Sequence, residues 1–214
     1  MKIKFLDLRV KDPKFVKKIL KKTSKILFSG KILEGKDQKI FEKKISKYLN
    51  VKYSVGVSSG SSALLLALKA SGIGKGDEVI TTPFTWIITS HAISSLGAKP
   101  VFVDIDQNFN LDPSKIEQAI NKKTKAILPM HVGGKLCDMK SISKIAKKFS
   151  LKIIEDAAQS ICSSYEGCTN DVANNYSELA IVDDGSCEFN CEFYTDDNGN
   201  SFQTINIVAG GGAY

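Results

Sequence analysis

Apolar side chains recur at helical spacing in the first fifty residues. Phe15, Ile19, Ile26 and Leu27 stand among lysines over residues 13–27, and Phe41, Ile45 and Leu49 follow at steps of four. Both patterns predict amphipathic helices, separated by a turn at Ser29-Gly30 and Gly35. Residues 51–57 predict a strand, and Ser58-Ser59-Gly60-Ser61-Ser62 then opens onto a helix-forming run over 63–70. Further on, strands are predicted over 79–82, 100–104, 126–130 and 151–154, and helices over 85–96, 113–120 and 141–149. The last helix places Ile142, Ile145, Ala146 and Phe149 on one face, and the last strand ends in Glu155-Asp156. Strand and helix alternate from about residue 51 to 156, which predicts an α/β fold, a mostly parallel sheet with helices on both faces.

After Gln159 the alternation stops, and Asn, Asp, Gly, Ser and Cys dominate. Charge changes at the same place. Of 30 Lys+Arg and 23 Asp+Glu, all the basic residues and 14 acidic ones lie up to Gln159, and 9 acidic residues follow it. Four of the five cysteines, Cys162, Cys168, Cys187 and Cys191, also fall in this last part. Their spacing matches no zinc pattern and no histidine is near, so disulfides are the expected state. These shifts predict a domain over residues 1–160 and a separate, irregular, acidic Cys-rich tail over 161–214.

Charge also limits the partners. Only Arg9 among the basic residues is an arginine, and the lysines are spaced around apolar positions of predicted helices. This is the pattern of a solvated face, without the arginines and interleaved aromatics of a nucleic-acid surface. The longest apolar runs are far short of the ~20 residues that span a membrane. Residues 1–10 alternate charged and apolar positions and lack a continuous apolar core of a secretion signal, so a cytoplasmic location is expected.

In open α/β sheets ligands bind beyond the carboxyl ends of the strands, which directs attention to three loops. Gly60, Ser61 and Ser62 open a helix, where unpaired N–H groups and hydroxyls suit a phosphate, although the same residue types also cap helices without any ligand. Pro83-Phe84-Thr85-Trp86 carries the lone tryptophan past a strand, either as a stacking surface for a flat ring or as a core anchor. Glu155-Asp156-Ala157-Ala158-Gln159 offers a carboxylate for a ring nitrogen and an amide for a phenolic oxygen, with Asp156 as a simple helix cap the alternative.

Together these loops carry a resemblance. Val57-Ser58-Ser59-Gly60-Ser61-Ser62-Ala63-Leu64, Gly72-Ile73-Gly74-Lys75-Gly76-Asp77-Glu78-Val79-Ile80, Pro100-Val101-Phe102-Val103-Asp104-Ile105-Asp106, Thr124-Lys125-Ala126-Ile127 and Ile154-Glu155-Asp156-Ala157-Ala158-Gln159 are similar, in order and spacing, to nucleotide-sugar aminotransferases of the DegT/StrS class. Ser29-Gly30 to Gly35 with Phe41-Glu42 extends the resemblance over roughly residues 1–160. It implies part of a fold-type-I aminotransferase large domain, a homodimer, and pyridoxal 5′-phosphate as cofactor. The implied partners are an amino donor such as glutamate and a nucleotide-linked keto sugar destined for amino-sugar and surface-polysaccharide synthesis. Carried over residue by residue, Gly60, Ser61 and Ser62 hold the phosphate, Trp86 stacks on the pyridine ring, Asp156 pairs with its nitrogen and Gln159 contacts the 3′-oxygen. His131, in Pro129-Met130-His131-Val132-Gly133-Gly134, also matches and is given no catalytic role.

One departure stands out. The family's Schiff-base lysine falls some two dozen residues beyond the position matched by Gln159, and no lysine occurs after Lys152 and no histidine after His131. A truncated, catalytically incomplete aminotransferase is therefore expected. The alternatives are a non-catalytic ligand-binding or assembly protein derived from the family, or a chimeric sequence. Around residues 166–190 the tail resembles a short cysteine-bounded repeat of marine surface proteins, and Asp196-Asp197-Asn198-Gly199-Asn200 reads as an acidic turn, without the spacing of an EF-hand loop.

Overall fold

Asp12, Pro13 and Gly30 set the limits of the first helix. In the computed structural model, which describes residues 9–33, 35–49, 51–161 and 163 and the backbone of 205–207, α1 spans Pro13–Ser29. Asp12 caps it by accepting the Lys14 N–H (2.8 Å), proline occupies the first turn, and Gly30 ends it at φ +65°. α2 spans Lys36–Tyr48, and Lys22 pairs with Asp37 at 2.6 Å. No residue of either helix is buried, and Phe15, Ile19, Leu27, Phe28 and Phe41 are exposed. These helices lie in the first of two compact units, Met1–Gly56, and the second is Val57–Tyr214. Among the described residues the strand expected over 51–57 does not form. Tyr53 and Val55 are 75% and 79% exposed, so β-branched and aromatic composition without a neighbouring strand leaves this segment unpaired.

In the second unit, α3 (Gly60–Ala70) begins at Ser59, whose Oγ accepts the Ser62 N–H (3.2 Å), and buries Leu64, Ala67 and Leu68 at three- and four-residue spacing. Then follow β1 (Glu78–Thr81), α4 (Ile87–Ser95), β2 (Lys99–Phe102), the one-turn α5 (Ile116–Ala119), β3 (Thr124–Ile127), α6 (Met139–Phe149) and β4 (Lys152–Asp156). The helix expected over 113–120 is a 3₁₀ turn, Pro113–Lys115, leading into α5, because Asp112 caps the turn through Ser114 and proline fixes its start. Asp156 is the last residue of β4, as expected, and the helix that it would cap in the alternative reading does not follow among the described residues.

The sheet order is β2-β1-β3-β4-β5, and every pair is parallel. The tail contributes β5 (Ile205–Ile207), whose backbone pairs with β4 from Ile154↔Ile205 to Asp156↔Ile207. Pro100 sits in β2, an edge strand, where its missing N–H is tolerated. Successive strand residues point to opposite faces. Val79, Ala126 and Ile154 join α3 and α4 in one core, while Ile80, Ile127 and Ile153 join α5 and α6 in the other. Helices thus cover both faces, as the alternation predicts. The remaining tail segments, including the four tail cysteines, the repeat-like unit and the acidic turn, lie outside the described residues.

Candidate functional site

The winding reverses at β1. From β1 the chain passes through α4 to β2 on one side, then returns to place β3 on the other, so the carboxyl ends of β1 and β3 flank a topological switch point. The loops leaving β1, β3 and β4 converge there. Thr81 Oγ1 donates to Leu128 O (2.8 Å), and the backbone at Met130 bridges to Asp156, with Asp156 N–H on Pro129 O (2.9 Å) and His131 N–H on Asp156 O (3.2 Å).

Asp156 is the centre of this end of the sheet. It is 4% exposed, and its carboxylate accepts the Ala158 N–H on Oδ1 (3.2 Å) and the Thr89 hydroxyl on Oδ2 (3.1 Å). Thr89 stands on the first turn of α4 and shares a hydrogen bond with Thr85 at 2.9 Å. Burial raises the Asp156 carboxyl above its ordinary range, against the opposing pull of the Ala158 N–H and the Thr89 hydroxyl. A carboxylate has about four acceptor directions, so room remains for a further donor.

Trp86 occupies the cap position of α4 and is 74% exposed, which removes the core-anchor reading. Its indole is therefore accessible as a stacking surface. Gln159 is exposed, and its Oε1 accepts the Gly133 N–H (2.8 Å), which leaves its NH₂ group to donate elsewhere. Glycine is required at positions 133 and 134, where φ is +60° and +87°. His131 is buried, with Nδ1 accepting the Cys137 N–H (3.2 Å), so its ring proton sits on Nε2 and is donated to Glu155 (3.1 Å). It links Glu155 to the Cys137 backbone through hydrogen bonds inside the fold.

The start of α3 belongs to the same end of the sheet. Its carboxyl end lies at the beginning of β4, where Lys152 Nζ donates to Ser71 O (2.5 Å). Eleven helical residues rise about 16 Å, close to the length of a five-residue strand, so Gly60, Ser61 and Ser62 reach the level of the strands' carboxyl ends. The Ser62 N–H and hydroxyl are engaged with Ser58 and Ser59, whereas the N–H groups of Gly60 and Ser61 have no acceptor within the helix. The chemistry available is thus an anion-binding helix start, an accessible indole, a buried carboxylate and a free amide. This donor and acceptor set fits pyridoxal 5′-phosphate, with its phosphate, flat ring, ring nitrogen and phenolic oxygen. Neither Thr89 nor the Gly133 N–H stands out in the sequence. Only Thr89 left a trace, as a threonine one helical turn after Thr85.

Comparison with known proteins agrees with the motifs. The profile of the DegT/DnrJ/EryC1/StrS aminotransferase family matches residues 13–181. The dTDP-3-amino-3,6-dideoxy-alpha-D-galactopyranose transaminase of Aneurinibacillus thermoaerophilus is 45% identical over 166 residues, 77% of this chain and 46% of that protein. A pleiotropic regulatory protein of Geobacillus stearothermophilus is 43% identical over 78% of this chain and 45% of its own. Among solved structures, ntda from Bacillus subtilis with bound cofactor PMP superposes with a TM-score of 0.69 at 42% identity, covering 70% of this chain and 35% of that one. A DegT DnrJ EryC1 StrS aminotransferase from Brucella abortus gives 0.70 at 32% identity, covering 75% and 45%. The chain spans about half the length of the curated relatives it matches.

Proposed function

Because the chain belongs to the DegT/DnrJ/EryC1/StrS aminotransferase family, we propose that it binds pyridoxal 5′-phosphate as the aminotransferase domain of a system acting on nucleotide-linked keto sugars. The observation that carries this reading is the buried carboxylate of Asp156 at the switch point of the sheet, held by Thr89 on α4, the helix that Trp86 caps with its ring exposed. Relatives described as a dTDP-sugar transaminase, a spore coat polysaccharide biosynthesis protein and a UDP-sugar aminotransferase support the substrate class and a place in amino-sugar and polysaccharide synthesis.

When bound, the cofactor supplies an electron-withdrawing ring that accommodates the charge left on carbon as an amino group moves from a donor such as glutamate to the keto sugar. Asp156 holds the proton on the ring nitrogen, and Thr89 and the Ala158 N–H keep its carboxylate fixed. Gly60, Ser61 and Ser62 bind the phosphate, Trp86 covers one ring face, and Gln159 donates its NH₂ to the ring oxygen. This domain is placed over residues 1–160 and an acidic tail over 161–214, of which Ile205–Ile207 adds the strand paired with β4. The uncovered apolar positions of α1 support assembly as a homodimer.

We further infer that this chain holds its cofactor without a covalent bond. Asp183-Asp184-Gly185 stands about where the family's lysine falls, and residues 153–214 hold no lysine. A nucleophile must be held within bonding reach to be effective, which favours a binding or assembly role unless a partner chain supplies the lysine. The test is absorbance of the purified chain with added pyridoxal 5′-phosphate, before and after borohydride, with mass spectrometry of the product. Saturable binding without an adduct is the expected result. An adduct on one defined lysine refutes catalytic incompleteness, and no binding at all refutes the cofactor reading.

A further inference from the structure

Asn110 is 1% exposed and belongs to no helix or strand. A buried amide is costly unless bonded, and all its side-chain bonds run to one loop. Its Oδ1 accepts the Val132 N–H (3.1 Å), and its Nδ2 donates to Lys135 O (3.1 Å) and Leu136 O (3.0 Å). The turn that delivers it is equally fixed. Asp106 Oδ1 accepts the N–H groups of Asn108 (2.7 Å) and Asn110 (3.1 Å), and Ile105 and Leu111 form an antiparallel bridge. Phe109 is held at φ +65°, a left-handed conformation unfavourable for a bulky residue, and Lys135 Nζ adds a bond to Asn108 Oδ1 (2.6 Å).

The loop clamped in this way reaches Gln159. Val132 N–H points to Asn110, and the next N–H in the chain, that of Gly133, points to Gln159 Oε1. A side-chain amide has an oxygen and a nitrogen of nearly the same shape, so a fixed N–H donor decides which one turns away. We propose that Asn110 is a positioning residue that clamps residues 132–136, aims the Gly133 N–H at Gln159 Oε1 and so presents the Gln159 NH₂ to the bound cofactor. The ligand-facing part rests on the function proposed above.

The test is a double-mutant cycle of Asn110→Ala and Gln159→Ala in the full chain. Three quantities are read: urea stability without ligand, hydrogen exchange of the Val132 and Gly133 amides by NMR, and the Kd for pyridoxal 5′-phosphate from its absorbance. Asn110→Ala is expected to speed exchange at both amides and to raise the Kd about tenfold, the worth of one hydrogen bond. Gln159→Ala is expected to raise it by a similar factor, and the double variant by no more than either alone. If Asn110→Ala does not fold, Asn110→Asp takes its place, since it keeps the acceptor for Val132 and loses both donated bonds. Lower stability with a Kd within twofold of the parent, or effects that multiply in the double variant, would reduce Asn110 to a structural residue and overturn the inference. Unchanged Gly133 exchange would overturn the clamp itself. A parent chain that fails to bind the cofactor would overturn the proposed function and the ligand-facing part, while the exchange measurement still decides the clamp.

Discussion

Replacing Asp156 by asparagine separates a residue kept for binding from one kept for stability. The side chain is 4% exposed, and two donors at 3.1 and 3.2 Å replace the hydration shell of its carboxylate. Desolvating a carboxylate costs several kcal/mol, and hydrogen bonds to a charged group return about 1.5–3 kcal/mol each, so these two donors at best narrowly compensate the charge. Burial raises the folded-state pKa above that of the unfolded chain. A raised carboxyl contributes stability that is fully present below the unfolded value, about 3.9, and is lost as pH rises through the folded value. The amide of the Asp156→Asn variant does not titrate, so the difference between variant and parent should be small near pH 4 and should grow in the variant's favour toward pH 8. There it should reach on the order of 1 kcal/mol, or about 3 °C for a chain of this size. Cofactor affinity should move the other way, falling ten- to a hundredfold with loss of a charged hydrogen bond. Urea denaturation of the ligand-free protein at pH 4.5, 6 and 8, with cofactor titration at pH 8, measures both. A variant less stable than its parent by more than 1 kcal/mol at pH 8 would make Asp156 a structural residue and refute the reasoning.

Further expectations follow from burial. Trp86 is 74% exposed, so Trp86→Ala should change stability by less than about 0.5 kcal/mol, and as the chain's lone tryptophan its fluorescence should be quenched by pyridoxal 5′-phosphate in the parent. Ile127, wholly buried between β3 and the α5–α6 face, should cost about 3 kcal/mol on truncation to alanine, read from the urea midpoint. Burial pushes the Cys137 thiol up to about 12, so at pH 8 only about one molecule in ten thousand carries the thiolate. Peptide mapping after iodoacetamide should leave Cys137 unmodified in the native protein and alkylate it in urea.

Local physics made much of the fold legible. The helical spacing of Phe15, Ile19 and Ile26 and of Ile142, Ile145 and Ala146 depends on residues within one or two turns, and these helices formed where the sequence placed them. Residues 51–57 misled for the converse reason. Their composition suits a strand, but a strand exists only with a partner, and pairing is not a local property. Gly60, Ser61, Ser62, Trp86, Asp156 and Gln159 were legible as candidates because motifs are contiguous. Tertiary structure alone decided their condition: it buried Asp156, exposed Trp86, and joined Thr89 to Asp156 across 67 residues and Asn110 to Val132 across 22. The sequence determined which chemical groups this protein owns and the order of its strands and helices. The parallel sheet, by reversing direction at β1, decided which of those groups meet, because hydrogen bonds and desolvation act through space and not along the chain.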